Sequence, residues 1–350
     1  MKTVKLKMKL KSSKFVINSI RSEEGTPVLP PVGMYDEPTM QGPIVREFMK
    51  EYKSRSKRLA DVVDEILAEL ETKQSVAFNA KKYVFLVDTD EVISLVDRVK
   101  NAISKIFFSG ATKYKQGKFW TDIFLKKASK AGERDALQSA KSVTTASGAG
   151  LALASGIRGE DGDVTLEHEK GRALRTGLAG GRVFESMKGI TDTLKVELAN
   201  TLSRGIQEGK GVQEIAAEIQ DRINVSGSRA MRIARTEVNQ AYRAAGRAET
   251  TRLNKEVYAN TDFELRMLWF SALAATTRPT HARRHGRIYT MEEVEAFYSK
   301  DANAINCLCN QTQVLYNKKT KQVVQKDLQQ KMQKQKTEYF KDLPEEEGLI

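Results

Sequence analysis

The sequence predicts an α+β protein that is predominantly α-helical, and three observations carry this reading. Apolar residues recur every three to four positions in several long segments, the spacing that lines one face of a helix. A Gly-Lys-Gly break at 209–211 interrupts one such pattern, which resumes at once, so the middle of the chain reads as a helical hairpin. The only two cysteines and two of the three histidines gather in one late stretch, which marks a small β-containing His/Cys knot. The architecture expected is a helical N-terminal domain with an extended basic arm, a hairpin middle and the knot.

The elements follow in chain order. Val4, Leu6, Met8 and Leu10 alternate with Lys5, Lys7, Lys9 and Lys11, which puts apolar groups on one side of an extended arm and ammonium groups on the other. Such lysines either bind DNA or a partner, or keep an exposed strand edge from aggregating. Five prolines between Pro27 and Pro43 make the following stretch a linker, so 1–42 is arm and linker. Residues 43–145 read as a helical domain. Its first helix carries Phe48, Leu59, Val63, Ile66 and Leu70, a second starts near Thr89, whose hydroxyl is a candidate cap, and a third runs from Trp120 towards Ala140. Between the first two, Lys82 to Val87 is a strand or a buried connection. Residues 146–184, with Gly148, Gly150, Gly177, Gly180 and Gly181, read as a glycine-rich hinge. Within it, Gly159 to Asp163 has neither the spacing nor the terminal Glu of a calcium loop.

Ile190, Leu194, Leu198, Leu202 and Ile206 then repeat every four residues, and Val212, Ile215 and Ile219 continue the pattern after the break. A longer helix is expected after Ser226-Gly227-Ser228. One of its faces holds Met231, Ala234, Val238, Ala241, Tyr242 and Ala245; another holds Arg229, Arg232, Arg235, Arg243 and Arg247 as an outward stripe. Five guanidinium groups with little interleaved acid repel one another unless phosphates or a partner's carboxylates neutralise them. Glu237 lies off the stripe and has Arg232, Arg235 or the His/Cys segment as candidate partners. From Lys318 the chain becomes a Lys- and Gln-rich charged tail, 316–350, with Val323, Leu328 and Met332 at helical spacing.

The chain has 350 residues, a net charge of +13 and a pI near 9.5, which points to an anionic partner, with nucleic acid ahead of an acidic protein surface or a membrane, or else to a merely solvated basic surface. No apolar run approaches the ~20 residues that span a bilayer, so no membrane association is expected. Cys307 and Cys309 are too close for a strain-free disulfide, consistent with a reducing compartment. No phosphate-binding loop and no serine elbow is present.

An ordered series of motifs carries a family resemblance. It runs from the hairpin at Gly209-Lys210-Gly211 through Arg235-Thr236-Glu237, Trp269-Phe270-Ser271-Ala272, Thr277-Arg278-Pro279-Thr280-His281 and His285-Gly286 to Asn306-Cys307-Leu308-Cys309. The series resembles the phage Mu protein F-like head morphogenesis family, the phage minor head proteins, over about 185–315. The resemblance implies a structural, non-enzymatic virion protein that acts in procapsid assembly. It implies a place inside the capsid near the portal, with portal protein, capsid or scaffolding proteins and packaged double-stranded DNA as partners. Relatives usually carry an acid where this chain has Ala274.

His281 and His285, four apart on a turn opened by Pro279, would point the same way, and Cys307 and Cys309 would close a tetrahedral structural zinc site. The same residues packed as hydrogen-bonded histidines and buried thiols would make a metal-free knot. The alternative function is a metal-dependent hydrolase acting on capsid protein or DNA during head maturation. Against it, His281-Ala282-Arg283-Arg284-His285 carries arginines and no glutamate to serve as the base of a zinc protease helix, and four protein ligands leave no open position for water.

Overall fold

A computed structural model describes residues 38–76, 82–146, 157, 166–274 and 276–341, the side chains of 166–168 excepted. The basic arm with Lys5, Lys7, Lys9 and Lys11, and Gly159 to Asp163, lie outside the described residues. The architecture is α+β and predominantly helical, as expected, with a small antiparallel sheet near the C-terminal end.

Helix α1 (Gly42–Glu71) starts at Pro43, where a missing N–H costs nothing, and buries Phe48, Tyr52, Leu59, Val63, Ile66 and Leu70. A two-stranded ribbon follows, β1 (Gln74–Val76) with β2 (Tyr83–Phe85). Helix α2 (Thr89–Phe108) is capped by Asp88 rather than Thr89: the Asp88 carboxylate accepts from the Glu91 N–H, and the Glu91 carboxylate returns the bond to the Asp88 N–H. Helix α3 (Asp122–Ala146) completes the N-terminal segment.

The two longest helices form the hairpin. Helix α4 (Leu166–Glu208) and helix α5 (Val212–Glu256) meet at Gly209, whose carbonyl accepts from the Tyr83 N–H of the ribbon. Two expectations are corrected here. Residues 166–184 are not hinge but the first turns of α4, where Gly177 and Gly180 sit against Gln116 and Tyr114. Nor does Ser226-Gly227-Ser228 break the next helix: Ser226 is buried, its hydroxyl bonded to the Ile223 carbonyl and to Tyr52 Oη, so the helix absorbs its weak formers.

The small face of α5 packs on α3, with Ala234, Val238 and Ala245 fully buried. Contact is so close that a Cβ on Gly132 would lie 2.1 Å from the Tyr242 carbonyl oxygen. Glu133 beside it is buried and ion-paired with Arg172 and Arg175 of α4. One apolar core runs from Val45 to Tyr242 through all five helices. Segments 43–145 and 185–315, expected as separate domains, therefore share a core.

The sheet has the order β4-β3-β5-β6, all antiparallel: β3 (Phe263–Phe270), β4 (Ile288–Tyr289), β5 (Asn310–Asn317) and β6 (Gln322–Val323). Between β3 and β4 lies the single turn α6 (Pro279–Ala282), and α7 (Met291–Tyr298) follows β4. Alternation along β3 sends Met267 and Trp269 to one face, with Val294, Cys307 and Cys309. It sends Leu268 and Phe270 to the other, with Val314, Val323, Leu328 and Met332. Those last two belong to α8 (Lys326–Lys341). The region expected to be a free charged tail thus supplies a strand and the helix that covers the sheet.

Candidate functional site

The knot is built where the middle of α5, the turn α6 and the segment before β5 converge under β3. Thr236, Asn239 and Arg243 follow one another at i, i+3 and i+7 on α5, so one helix face presents three polar groups to one loop. The Thr236 hydroxyl accepts from the Asn306 N–H at 2.9 Å, and the Asn239 amide donates to the Cys307 carbonyl at 3.1 Å. Arg243 donates to the Cys307 carbonyl at 3.2 Å and the Cys309 carbonyl at 2.9 Å, and its guanidinium lies 4.4 Å from the Tyr298 ring centre. Arg278 grips the same loop from the other side, donating to the carbonyls of Ala302, Asn303 and Ile305. Asp301, Ala302 and Asn306 all have positive φ, so the loop is a strained path that these bonds hold.

Inside this frame His281, Cys307 and Cys309 come together, all buried, their ligating atoms within 4.8 Å of one another. His281 Nδ1 is 3.4 Å from the Cys307 sulfur and 3.5 Å from the Cys309 sulfur, and its Nε2 is 3.2 Å from Asn303 Oδ1. Ser271 Oγ donates to the His281 carbonyl and stands 3.2 Å from the Cys309 sulfur. Trp269, Phe297 and Tyr298 wall the cluster, with Phe297 edge-on to the His281 ring at 4.9 Å. The two sulfurs are unequal: a hydrogen bond from Cys309 lowers the Cys307 thiol well below its ordinary pKa and raises Cys309 well above it.

His285 is the correction to the expected four-ligand set. Helix α6 ends at Ala282, so the i, i+4 spacing no longer puts both imidazoles on one face. His285 instead turns towards Phe270, where Nδ1 accepts from the Ser271 N–H at 3.1 Å and Nε2 lies 3.3 Å from Gln335 of α8. Burial pushes its pKa down to about 4. Gly286 closes the turn at φ +73°, with a Cβ there 2.9 Å from the backbone nitrogen of Gln333, so only glycine lets α8 approach.

The arginine stripe is also corrected. Arg232 is exposed and Arg229, Arg235 and Arg247 are half-buried, but Arg243 is buried in the knot and closed to any phosphate. Glu237 pairs with Arg182 of α4 at 3.0 Å rather than with Arg232 or Arg235, and burial raises its pKa. Thr277 accepts from the Ala274 N–H, forming the turn that leads into Arg278. Ala274 takes a backbone part in the same turn, and its carbonyl accepts from Tyr339 Oη of α8.

Sequence reasoning missed Asn239, Ser271, Tyr298 and Asn303. The 236/239/243 spacing held the signal for Asn239, masked because the helix was sorted by charge. Asn303 and Tyr298 reach the cluster through loop geometry that no spacing encodes.

A cluster buried on a scaffold of long helices defines a structural domain rather than an open catalytic cleft. Residues 196–312, from the second half of α4 into β5, match the family model of the Phage Mu protein F like proteins, so this part of the chain is similar to that family. The resemblance carried by the motifs is borne out over that span. The family supports bacteriophage head morphogenesis as the class of function, a structural rather than enzymatic role, and the virion as location. A curated relative, the NAD(+)--arginine ADP-ribosyltransferase EFV of Enterococcus faecalis (strain ATCC 700802 / V583), is 27% identical over 150 residues, 39% of this chain and 29% of that protein. The chain thus spans well under half of that relative, and the likeness does not establish transferase activity here. No solved structure matches the chain. Among the described residues no helix is long and apolar enough to cross a membrane.

Proposed function

We propose that the protein is a minor head protein of a tailed bacteriophage, seated inside the capsid near the portal vertex. It contacts portal and capsid or scaffolding proteins during procapsid assembly and handles the packaged double-stranded DNA. One observation carries the reading: the stretch that matches the family is the stretch whose motif residues Thr236, Trp269, Thr277, Arg278, His281, Gly286, Cys307 and Cys309 build the knot and its supports.

DNA contact draws support from a groove away from the knot. Arg266, Arg287, Lys321 and Lys326, with Tyr289, Tyr316 and the glutamines of α8, line an open space of about 700 Å³ beside the sheet. Arg287 also helps burial to lower the pKa of Lys336, a sign of uncompensated positive charge. Arg266 has Glu264 as partner and stacks over Tyr316 at 3.7 Å. Cations interleaved with aromatic and amide groups suit a phosphate backbone. Arg229, Arg232, Arg235 and Arg247 stay in the proposal as a second contact strip; Arg243 leaves it.

The purified protein is expected to bind double-stranded DNA without sequence preference, affinity falling steeply as salt rises. Replacing Arg287, Lys321 and Lys326 by glutamine should reduce the slope of log affinity against log salt by about 3. Immunogold labelling or difference density of proheads should find the protein at the portal vertex. Uniform labelling of the shell, or no affinity for either DNA or portal protein, refutes the proposal. The hydrolase alternative draws no support from the site, where walls of Trp269, Phe297 and Tyr298 leave a capsid protein or DNA strand no approach to His281.

A further inference from the structure

We infer that His281, Cys307 and Cys309 are a three-donor site for zinc, with His285 outside it and an oxygen completing the fourth position. A tetrahedral zinc ion bonded at about 2.3 Å to sulfur and about 2.0 Å to nitrogen holds that sulfur and nitrogen about 3.5 Å apart. His281 Nδ1 stands 3.4 Å and 3.5 Å from the two sulfurs, so both nitrogen–sulfur separations are at tetrahedral edge length, and all three donors lie within 4.8 Å of one another.

The imidazole is oriented for the task. The Asn303 amide is fixed because its nitrogen donates to the Phe297 carbonyl at 3.0 Å, which leaves Oδ1 facing His281 Nε2. Nε2 therefore carries the proton and Nδ1 presents its lone pair to the sulfurs, the arrangement in which a second group sets the tautomer of a ligating histidine. Two thiolates and one imidazole are soft to borderline donors that select Zn²⁺ over Mg²⁺ or Ca²⁺. Two thiol protons leave to solvent as the ion enters, and the resulting two negative charges balance the cation. Ser271 Oγ, 3.2 Å from the Cys309 sulfur, and Tyr298 Oη, 3.7 Å from the Cys307 sulfur, are protein oxygens beside the cluster.

The site is structural: it ties α6 to the loop before β5. It is independent of the head-protein reading, because its test measures metal and not assembly.

The full chain, purified without a metal-affinity tag, is expected to carry about one zinc per molecule by inductively coupled plasma mass spectrometry. After removal by chelator and titration with Co²⁺, thiolate-to-cobalt charge-transfer absorption and intense tetrahedral d–d bands should appear together. Zinc X-ray absorption should give two sulfur neighbours, one imidazole and one further light atom. Cys307→Ser and Cys309→Ser should lose the zinc, while His285→Gln keeps it. Because the cysteine variants risk misfolding, cobalt titration and X-ray absorption on the unaltered chain decide on their own. Metal-free protein that shows no cobalt–thiolate band overturns the inference, as does zinc lost in His285→Gln or a neighbour shell without two sulfurs.

Discussion

The bundle and the knot are held together by opposite means. Helices α1 to α5 join through apolar side chains, and their buried polar groups are tied within or between helices, as hydroxyls such as Ser226 with Tyr52 and ion pairs such as Glu133 with Arg172 and Arg175. In the knot the apolar walls are thin, and the chain is held by side chains bonded to backbone: Thr236, Asn239, Arg243 and Arg278 satisfy the loop 302–309. Apolar packing tolerates repacking when volume is kept, whereas a buried carbonyl that loses its donor pays the full desolvation cost. The bundle should therefore be sensitive to size and the knot to chemistry.

The largest effect tests the bundle at its tightest point. Gly132→Ala puts a methyl group into the Tyr242 carbonyl and forces α3 from α5, so chemical denaturation should show a loss of about 4 kcal/mol. A loss under about 1 kcal/mol would mean that the helices part easily and that size is not the bundle's constraint.

Arg243→Met keeps length and apolar stem but strands the Cys309 carbonyl and leaves that of Cys307 to Asn239 alone, and a loss of about 3 kcal/mol is expected. Arg243→Lys should recover little of it, because an ammonium on its shorter stem cannot reach the place where one guanidinium nitrogen donates to both carbonyls while the flat group lies over Tyr298. Full recovery by lysine would reduce the knot's chemistry to charge alone.

Acid should loosen the knot side before the bundle. His285 is neutral in the fold, with a pKa of about 4 against 6.5 for the free side chain. The unfolded chain therefore binds the extra proton between these values, and stability complete above pH 6.5 falls as pH drops towards 4, by about 3 kcal/mol in all. Unfolding midpoints of wild type and His285→Gln measured across this window should converge at low pH. Parallel curves would show that the histidine does not set the acid limit.

Surface charge gives the smallest effect. Lys127 and Glu47 pair across α3 and α1 with both side chains half exposed, so Lys127→Ala should cost less than about 1 kcal/mol and less still in high salt.

What could be read from the sequence follows the same division. The apolar stripes of α1, α2 and α4 and the turn at Gly209 were legible because helical burial writes a period into the chain. The cysteines and His281 were legible as donors because their chemistry is rare. His285 misled, since its spacing implied a shared helical face and α6 stops one residue after His281. The tail misled for another reason: Leu328 and Met332 are two apolar residues among lysines and glutamines, too few to betray a buried helix until β3 supplies Leu268 and Phe270. Arg243 looked like its neighbours in the stripe, and only the position of the 306–309 loop sets it apart.

The hydrogen bond from Thr39 to Asn239 has a mechanical meaning. Thr39 Oγ1 donates to Asn239 Oδ1 at 3.0 Å, and the other end of the same amide holds the Cys307 carbonyl. Thr39 is buried at the root of the segment that enters α1. Tension at Thr39 therefore reaches the loop at Cys307 through two side chains, Thr39 and Asn239, without passing along α1.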